Sequence, residues 1–134
     1  MAKLEKIKLK TVTDERGSLT VLEMKDYIDW PIKRIYYLTD VKAPRGGHAV
    51  RGEKKIYICQ KGIVKARLHD GKSWQEFELK GPDDAIIMSG MCFRDFYEFS
   101  KDAVLMAASS VEYNKSDYIY DLETFIKEAN SGRS

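Results

Sequence analysis

The sequence predicts an antiparallel all-β fold, a sandwich or small barrel, with a single helix at its C-terminal end. Three observations carry that expectation. Turn signals recur at short intervals: Asp14-Glu15-Arg16-Gly17, Pro44 to Gly47, Gly62, Asp70-Gly71, Gly81-Pro82-Asp83-Asp84 and Ser89-Gly90. Between them lie short runs rich in Ile, Val, Leu, Tyr and Phe with no helical stretch to separate them, the pattern of an antiparallel sandwich or barrel. Only the tail changes period. There Leu122, Phe125, Ile126 and Ala129 share one helical face behind Asp121, a residue whose carboxylate suits a helix N-cap.

The elements follow in order. Ile7 and Leu9 alternate with lysines, and Ile32 to Leu38 mixes β-branched and aromatic residues with Lys33 and Arg34. Of Tyr36 and Tyr37, alternation turns one inward and one outward. Lys55 to Cys59 leads through Gly62 into Ile63 to Leu68, and His69-Asp70-Gly71-Lys72 then makes a hairpin turn around Asp-Gly. Trp74 to Leu79 alternates again, followed by Ala85 to Met88, Cys92 to Phe99 and Ala103 to Ser109. The tail helix is expected to pack on the outside of the β body, with Gly132 beyond its end and Gly132-Arg133-Ser134 frayed.

A chain of 134 residues is expected to form one domain over residues 1–134, large enough to bury a core without disulfide or metal staples. With 43% hydrophobic and 33% charged residues it belongs to the globular class and not the disordered one. Apolar runs such as Ala103 to Ala108 are far too short to span a bilayer. Met1 to Lys6 lacks the apolar core of a secretory signal. A net charge of +2, with acids interspersed almost one for one, lacks the basic stripe of a nucleic-acid binder. Neither membrane nor nucleic acid is therefore an expected partner. Cys59 and Cys92 lack paired-ligand spacing and read as buried free thiols of a cytoplasmic protein.

The most informative stretch is Pro44-Arg45-Gly46-Gly47-His48-Ala49-Val50-Arg51. It sets one of only two histidines among cations at a strand start. A catalytic metal is not expected, because His48 and His69 are too few and His69 falls at a hairpin tip. Arg45, Arg51, Lys54 and Lys55 crowd positive charge around His48, which favours a neutral imidazole able to act as a base on an anionic ligand. The competing reading makes those cations a solvated strand edge; the anion site is preferred. Arg94, between aromatics in Cys92 to Phe99, is either ion-paired with Asp95 or Glu98 or an inward ligand contact. Arg16 either completes a turn or reaches a ligand at a barrel mouth. The sequence contains no Gly-rich phosphate loop opening a helix and no G-x-S-x-G nucleophile motif.

Taken together, these residues resemble the cupin-fold sugar-nucleotide 3,4-ketoisomerases that act on dTDP-4-keto-6-deoxyglucose. The likeness runs over roughly residues 5 to 125 and rests on these segments: Arg16-Gly17-Ser18-Leu19; Lys33 to Tyr37; Pro44 to Ala49; the Cys59 to Gly62 strand end; Asp70-Gly71; Tyr97 to Ser100; and Ser116 to Ile119. Pro-Arg-Gly-x-His-Ala is the most specific of them. The resemblance implies a small cupin-type β-barrel (jelly roll), a homodimer without metal or other cofactor. It also implies an activity that moves the keto group of a dTDP-linked sugar from C4 to C3, supplying deoxyamino-sugar biosynthesis. On this reading His48 is the acid or base, and Tyr37 and Arg94 donate to the enediolate oxygens. Arg45 and Arg51 are candidates for the diphosphate, and Arg16 and Arg34 for further substrate contacts. Two positions depart from the family pattern. His48-Ala49-Val50 stands for His-Ala-His, and Phe93-Arg94-Asp95 for Trp-His-Glu. Val50 keeps two alternatives in view, a weakened or inactive sugar-nucleotide-binding cupin and a related keto-sugar epimerase. Arg16 together with Arg94 leaves the C4 configuration of the product open.

Overall fold

Strand alternation sorts side chains onto two faces, and pairing between strands decides which face becomes interior. The computed structural model describes residues 2–131, so Gly132 and the tail after it lie outside the described residues. One five-stranded sheet contains β1 (Leu4–Lys8), β4 (Arg34–Leu38), β6 (Lys55–Lys61), β9 (Asp84–Met88) and β11 (Val104–Ser109), in the order β1-β9-β6-β11-β4. A second contains β5 (Arg45–Val50), β7 (Ile63–His69), β8 (Trp74–Lys80), β10 (Phe93–Phe99) and β12 (Tyr118–Ile119), in the order β12-β5-β10-β7-β8. Each pairing is antiparallel. A separate hairpin of β2 (Lys10–Asp14) and β3 (Gly17–Val21) turns through the predicted Asp14 to Gly17 segment. The whole is the expected all-β, cupin-type arrangement with one C-terminal helix, α1 (Leu122–Asn130). Among the described residues no helix is long and apolar enough to cross a membrane.

The inner faces meet in a cluster that includes Tyr57, Cys59, Val64, Leu68, Leu79, Ile86, Phe96 and Leu105. Tyr57 and Phe96 bridge the two sheets edge to face, with ring centroids 4.8 Å apart. The outer face of the first sheet carries Ile56, Ile58, Ala85, Ile87 and Ala108, covered by Leu9, Leu22, Trp30 and Ile32. The outer face of the second carries Ala49 and Phe93 under Phe125 and Ala129 of α1. Asp121 caps α1 as expected, accepting from the Thr124 backbone N–H at 3.0 Å. His69 does stand at the hairpin between β7 and β8, but it is buried there. It is 5% exposed at the end of β7, where its Nδ1 accepts from the Gly71 N–H at 3.0 Å and its ring meets Trp74 and Phe125.

Pro44 to Gly47 is no turn. β5 already begins at Arg45 and carries a bulge opposite β10, with register pairs His48–Arg94, Gly46–Asp95 and Arg45–Phe96. Gly46 at φ +102° and Gly47 at φ +73° provide the backbone that bulge needs. A Cβ on Gly46 would stand 2.6 Å from the Arg94 carbonyl oxygen, so a side chain there is sterically excluded. The bulge also resets the alternation. Arg45 and His48, three positions apart, each pair across to an inward-facing residue of β10 and so share a face.

Candidate active site

The register stacks the inner face of the first sheet into rungs. Leu38, Leu105 and Cys59 form an apolar rung, Tyr36, Ala107 and Tyr57 the next, and Arg34, Ser109 and Lys55 a polar one. At this polar end the second sheet presents His48 and Arg94, adjacent across β5 and β10. Glu53, in the turn between β5 and β6, ties the two walls together. It accepts from Arg94 Nη2 at 2.9 Å and from Ser109 Oγ at 2.8 Å, and Lys55 Nζ lies 3.2 Å away. Arg94, Glu53 and Lys55 are each at most 2% exposed. Two cations thus face one carboxylate in a buried interior, and Arg94 Nε and Nη1 find no hydrogen-bond partner among the described residues. Buried unpaired donors are costly, and such a cluster favours an additional anion or oxyanion.

The His48 ring packs on Tyr118 at 4.8 Å and near Tyr120 at 6.1 Å. Its Nδ1 lies 3.2 Å from the Gly46 carbonyl oxygen. A carbonyl can only accept, so Nδ1 carries the proton and Nε2 keeps its lone pair. Burial, then the Arg94 charge, with Lys55 adding to them, push the imidazole down to about 4 against the opposing influence of the Gly46 carbonyl and Glu53. His48 is therefore neutral at neutral pH, with Nε2 unprotonated. The same shift has a consequence for stability. The unfolded chain takes up this proton at the ordinary 6.5 and the folded chain only near 4, so acidification through that window weakens the fold. Urea titrations across it are expected to show a steeper loss for the wild type than for His48→Asn.

The other expected site residues divide. Tyr37 is corrected in placement: it is 67% exposed on the outer face of β4, and Tyr36 is the inward tyrosine. Tyr36 accepts a hydrogen bond from Lys55 Nζ at 2.8 Å and lies under the Arg34 guanidinium, 4.8 Å from the ring centroid. Arg34 also covers Tyr113 at 5.2 Å. Arg94 takes neither expected neighbour as its partner. Asp95 pairs with Arg67 at 3.0 Å and Glu98 with Lys65 at 3.6 Å. Arg51 points away from the site: its fork holds Glu128 of α1 at 2.9 Å and the Ser116 carbonyl at 3.2 Å, clamping the helix to β5. Arg16 sits at the hairpin tip, its side chain 85% exposed and paired with Asp14 at 2.7 Å. Arg45 is exposed on the face that carries His48. Glu53 and Ser109 join this cluster without having been expected there; Lys55 was expected only as one of the cations around His48, and Tyr36 only as one of two tyrosines of which one faces inward. The phase of alternation held one signal, since Tyr36 shares a face with Leu38. Among the described residues no three His, Cys, Asp or Glu side chains are grouped to hold a metal ion.

A neutral imidazole and a buried, half-partnered guanidinium thus stand side by side at the polar end of a two-sheet cupin-type fold. The chain belongs to the FdtA family, described as WxcM-like, C-terminal, whose profile matches residues 2–130. It is 34% identical over 123 residues to the TDP-4-oxo-6-deoxy-alpha-D-glucose-3,4-oxoisomerase of Aneurinibacillus thermoaerophilus, covering 90% of this chain and 88% of that one. Among solved structures it is similar to the sugar 3,4-ketoisomerase QdtA of Thermoanaerobacterium thermosaccharolyticum in complex with TDP. That match has 32% identity and a TM-score of 0.87, with 96% of each chain covered. A histidine-to-asparagine variant of QdtA, in complex with TDP-4-keto-6-deoxyglucose, matches at 32% identity and a TM-score of 0.86, covering 96% of this chain and 94% of that one.

Proposed function

We propose that the chain is a metal-independent isomerase that moves the keto group of TDP-4-keto-6-deoxyglucose from C4 to C3. The observation that carries this reading is His48 paired in register with Arg94, the one with an unprotonated Nε2 and the other with Nε and Nη1 unpartnered among the described residues. His48 removes the C3 proton, and the electrons shift into a C3–C4 enediolate. The charge developing on the oxygens meets the Arg94 guanidinium, which supplies preorganised donors from a buried position. Return of the proton to C4 leaves the ketone at C3. Arg34 and Arg45 lie on the interior face and are available to the diphosphate. Arg51, held by Glu128, has a structural task instead.

We further place the enzyme in the cytoplasm, consistent with its two buried free thiols, and in a homodimer. The edge strand β4 with exposed Ile35 and Tyr37, and the hairpin with exposed Val12 and Leu19, give a second copy an apolar surface to cover. Incubation with TDP-4-keto-6-deoxyglucose in deuterated water, followed by NMR, tests the function. Solvent deuterium on the sugar and a 3-keto product are expected. TDP binding without exchange would make the chain a binding module, and inversion at a carbon beside the ketone would make it an epimerase.

A further inference from the structure

Position 50, on the face of β5 that carries His48, holds a valine 3% exposed, so no second imidazole serves the reaction there. Isomerisation nevertheless needs two proton movements: one between neighbouring carbons, and one from the oxygen on C3 to the oxygen on C4. The polar end of the interior holds another group suited to the second. Lys55 Nζ is buried, donates to the Tyr36 hydroxyl at 2.8 Å and lies 3.2 Å from Glu53 Oε2. Glu53 joins it to Arg94, which pairs in register with His48, so the two groups belong to one cluster.

We propose that Lys55, acting through the Tyr36 hydroxyl, carries the oxygen-to-oxygen proton while His48 carries the carbon-to-carbon one. This rests on the isomerase reading above. As His48 takes the C3 proton, the C4 oxygen gains charge and takes the Tyr36 hydroxyl proton. The Lys55 ammonium replaces that proton and becomes a neutral amine. When His48 gives its proton to C4, the C3 hydroxyl becomes the ketone. Its proton passes to Tyr36, whose own proton returns to Lys55. Every group ends as it began, and no other reactant is needed.

The surroundings of Lys55 suit a group that gives up its proton readily. It is faced by Glu53 from the β5–β6 turn, Arg94 from β10, Arg34 and Tyr36 from β4, His48 from β5 and Tyr57 from its own strand. Burial first, then the Arg94 charge, with Arg34 adding to them, lower the ammonium to about 7 against the pull of Glu53. A surface lysine would hold its proton far too firmly to cycle.

The test measures kcat, kcat/KM against pH, and TDP affinity for the wild type, Lys55→Gln, Lys55→Arg and Tyr36→Phe. Arginine keeps the positive charge facing Glu53 but does not release a proton. A relay predicts that all three variants lose about 10²-fold in kcat, in line with removal of an acid–base group, while still binding TDP. It also predicts a wild-type kcat/KM that falls as pH rises through about 7, a limb absent from Lys55→Arg. If Lys55→Arg matches the wild type in rate and pH profile, Lys55 is only a structural charge and the relay is wrong. Tyr36→Phe with unchanged rate and limb overturns it equally, whatever the folding of the lysine variants. A wild type without turnover removes the isomerase reading itself, a result distinct from either of these.

Discussion

His48→Asn is expected to lower both solvent-deuterium incorporation and turnover by about 10²–10⁴-fold, the usual contribution of a positioned acid–base group. The substitution is chosen to leave the architecture in place. An asparagine amide can donate to the Gly46 carbonyl as Nδ1–H does, so the bulge keeps its bond. The lost contacts with Tyr118 and Tyr120 lie at the margin of the interior and not in its packed centre. TDP affinity, measured by calorimetry, is therefore expected to survive. His48 stands out by elimination as well as by position. Among the described residues the other ionisable groups on which the Arg94 charge acts are a carboxylate already holding two cations, a lysine, two tyrosines and the buried Cys92 thiol, which burial pushes up to about 12. Glu53 accepts from Arg94 and Ser109, leaving it poorly placed to receive a carbon-bound proton. Retention of wild-type exchange in His48→Asn would move the base elsewhere and remove the chemical core of the proposal.

The parts of this molecule that could be read from its sequence are those governed by local rules. Short alternating runs gave the strands, Asp70-Gly71 gave the hairpin between β7 and β8, and Asp121 with its apolar stripe gave α1. The site needed pairing information that no local pattern contains. Tyr36 and Tyr37 are chemically alike, and only the register of β4 with β11 decides which one meets Lys55. The run Arg51-Gly52-Glu53-Lys54-Lys55 has the composition of a solvated edge. Yet Glu53 and Lys55 are buried, because β6 is flanked by both β11 and β9 and Lys55 therefore pairs with Ser109 on one side and Met88 on the other. Arg51 looked like an anion ligand until the fold brought Glu128 to it across 77 positions of sequence. Gly46 and Gly47 read as a turn because glycine pairs usually are one. A bulge uses the same positive φ angles, and only the approach of the Arg94 carbonyl distinguishes the two.

Glu53→Gln is expected to produce the largest loss of stability, about 3–5 kcal/mol, the range for breaking one side of a buried ion pair. For a chain of this size that corresponds to a fall in Tm on the order of 10 °C. Glutamine preserves the volume and can still accept from Ser109, so packing changes little and charge changes most. Burial alone would raise the Glu53 carboxyl, but Arg94, Lys55 and the Ser109 hydroxyl outweigh it and hold it below its ordinary value. In the variant the two cations have no counter-charge, and they respond differently. Lys55 can shed its proton, being already lowered to about 7, whereas Arg94 cannot. The defect measured by urea denaturation should therefore be larger below that pH than above it. A second substitution separates charge from shape. Arg94→Met in the Glu53→Gln background removes the remaining fixed cation and should recover part of the lost stability, because an apolar replacement of a whole buried ion cluster is often neutral or better. No recovery, or an initial loss below about 1 kcal/mol, the range of an exposed pair, would mean that water already compensates these charges. A water-filled cluster would also take away the dry electrostatics on which the oxyanion role of Arg94 depends.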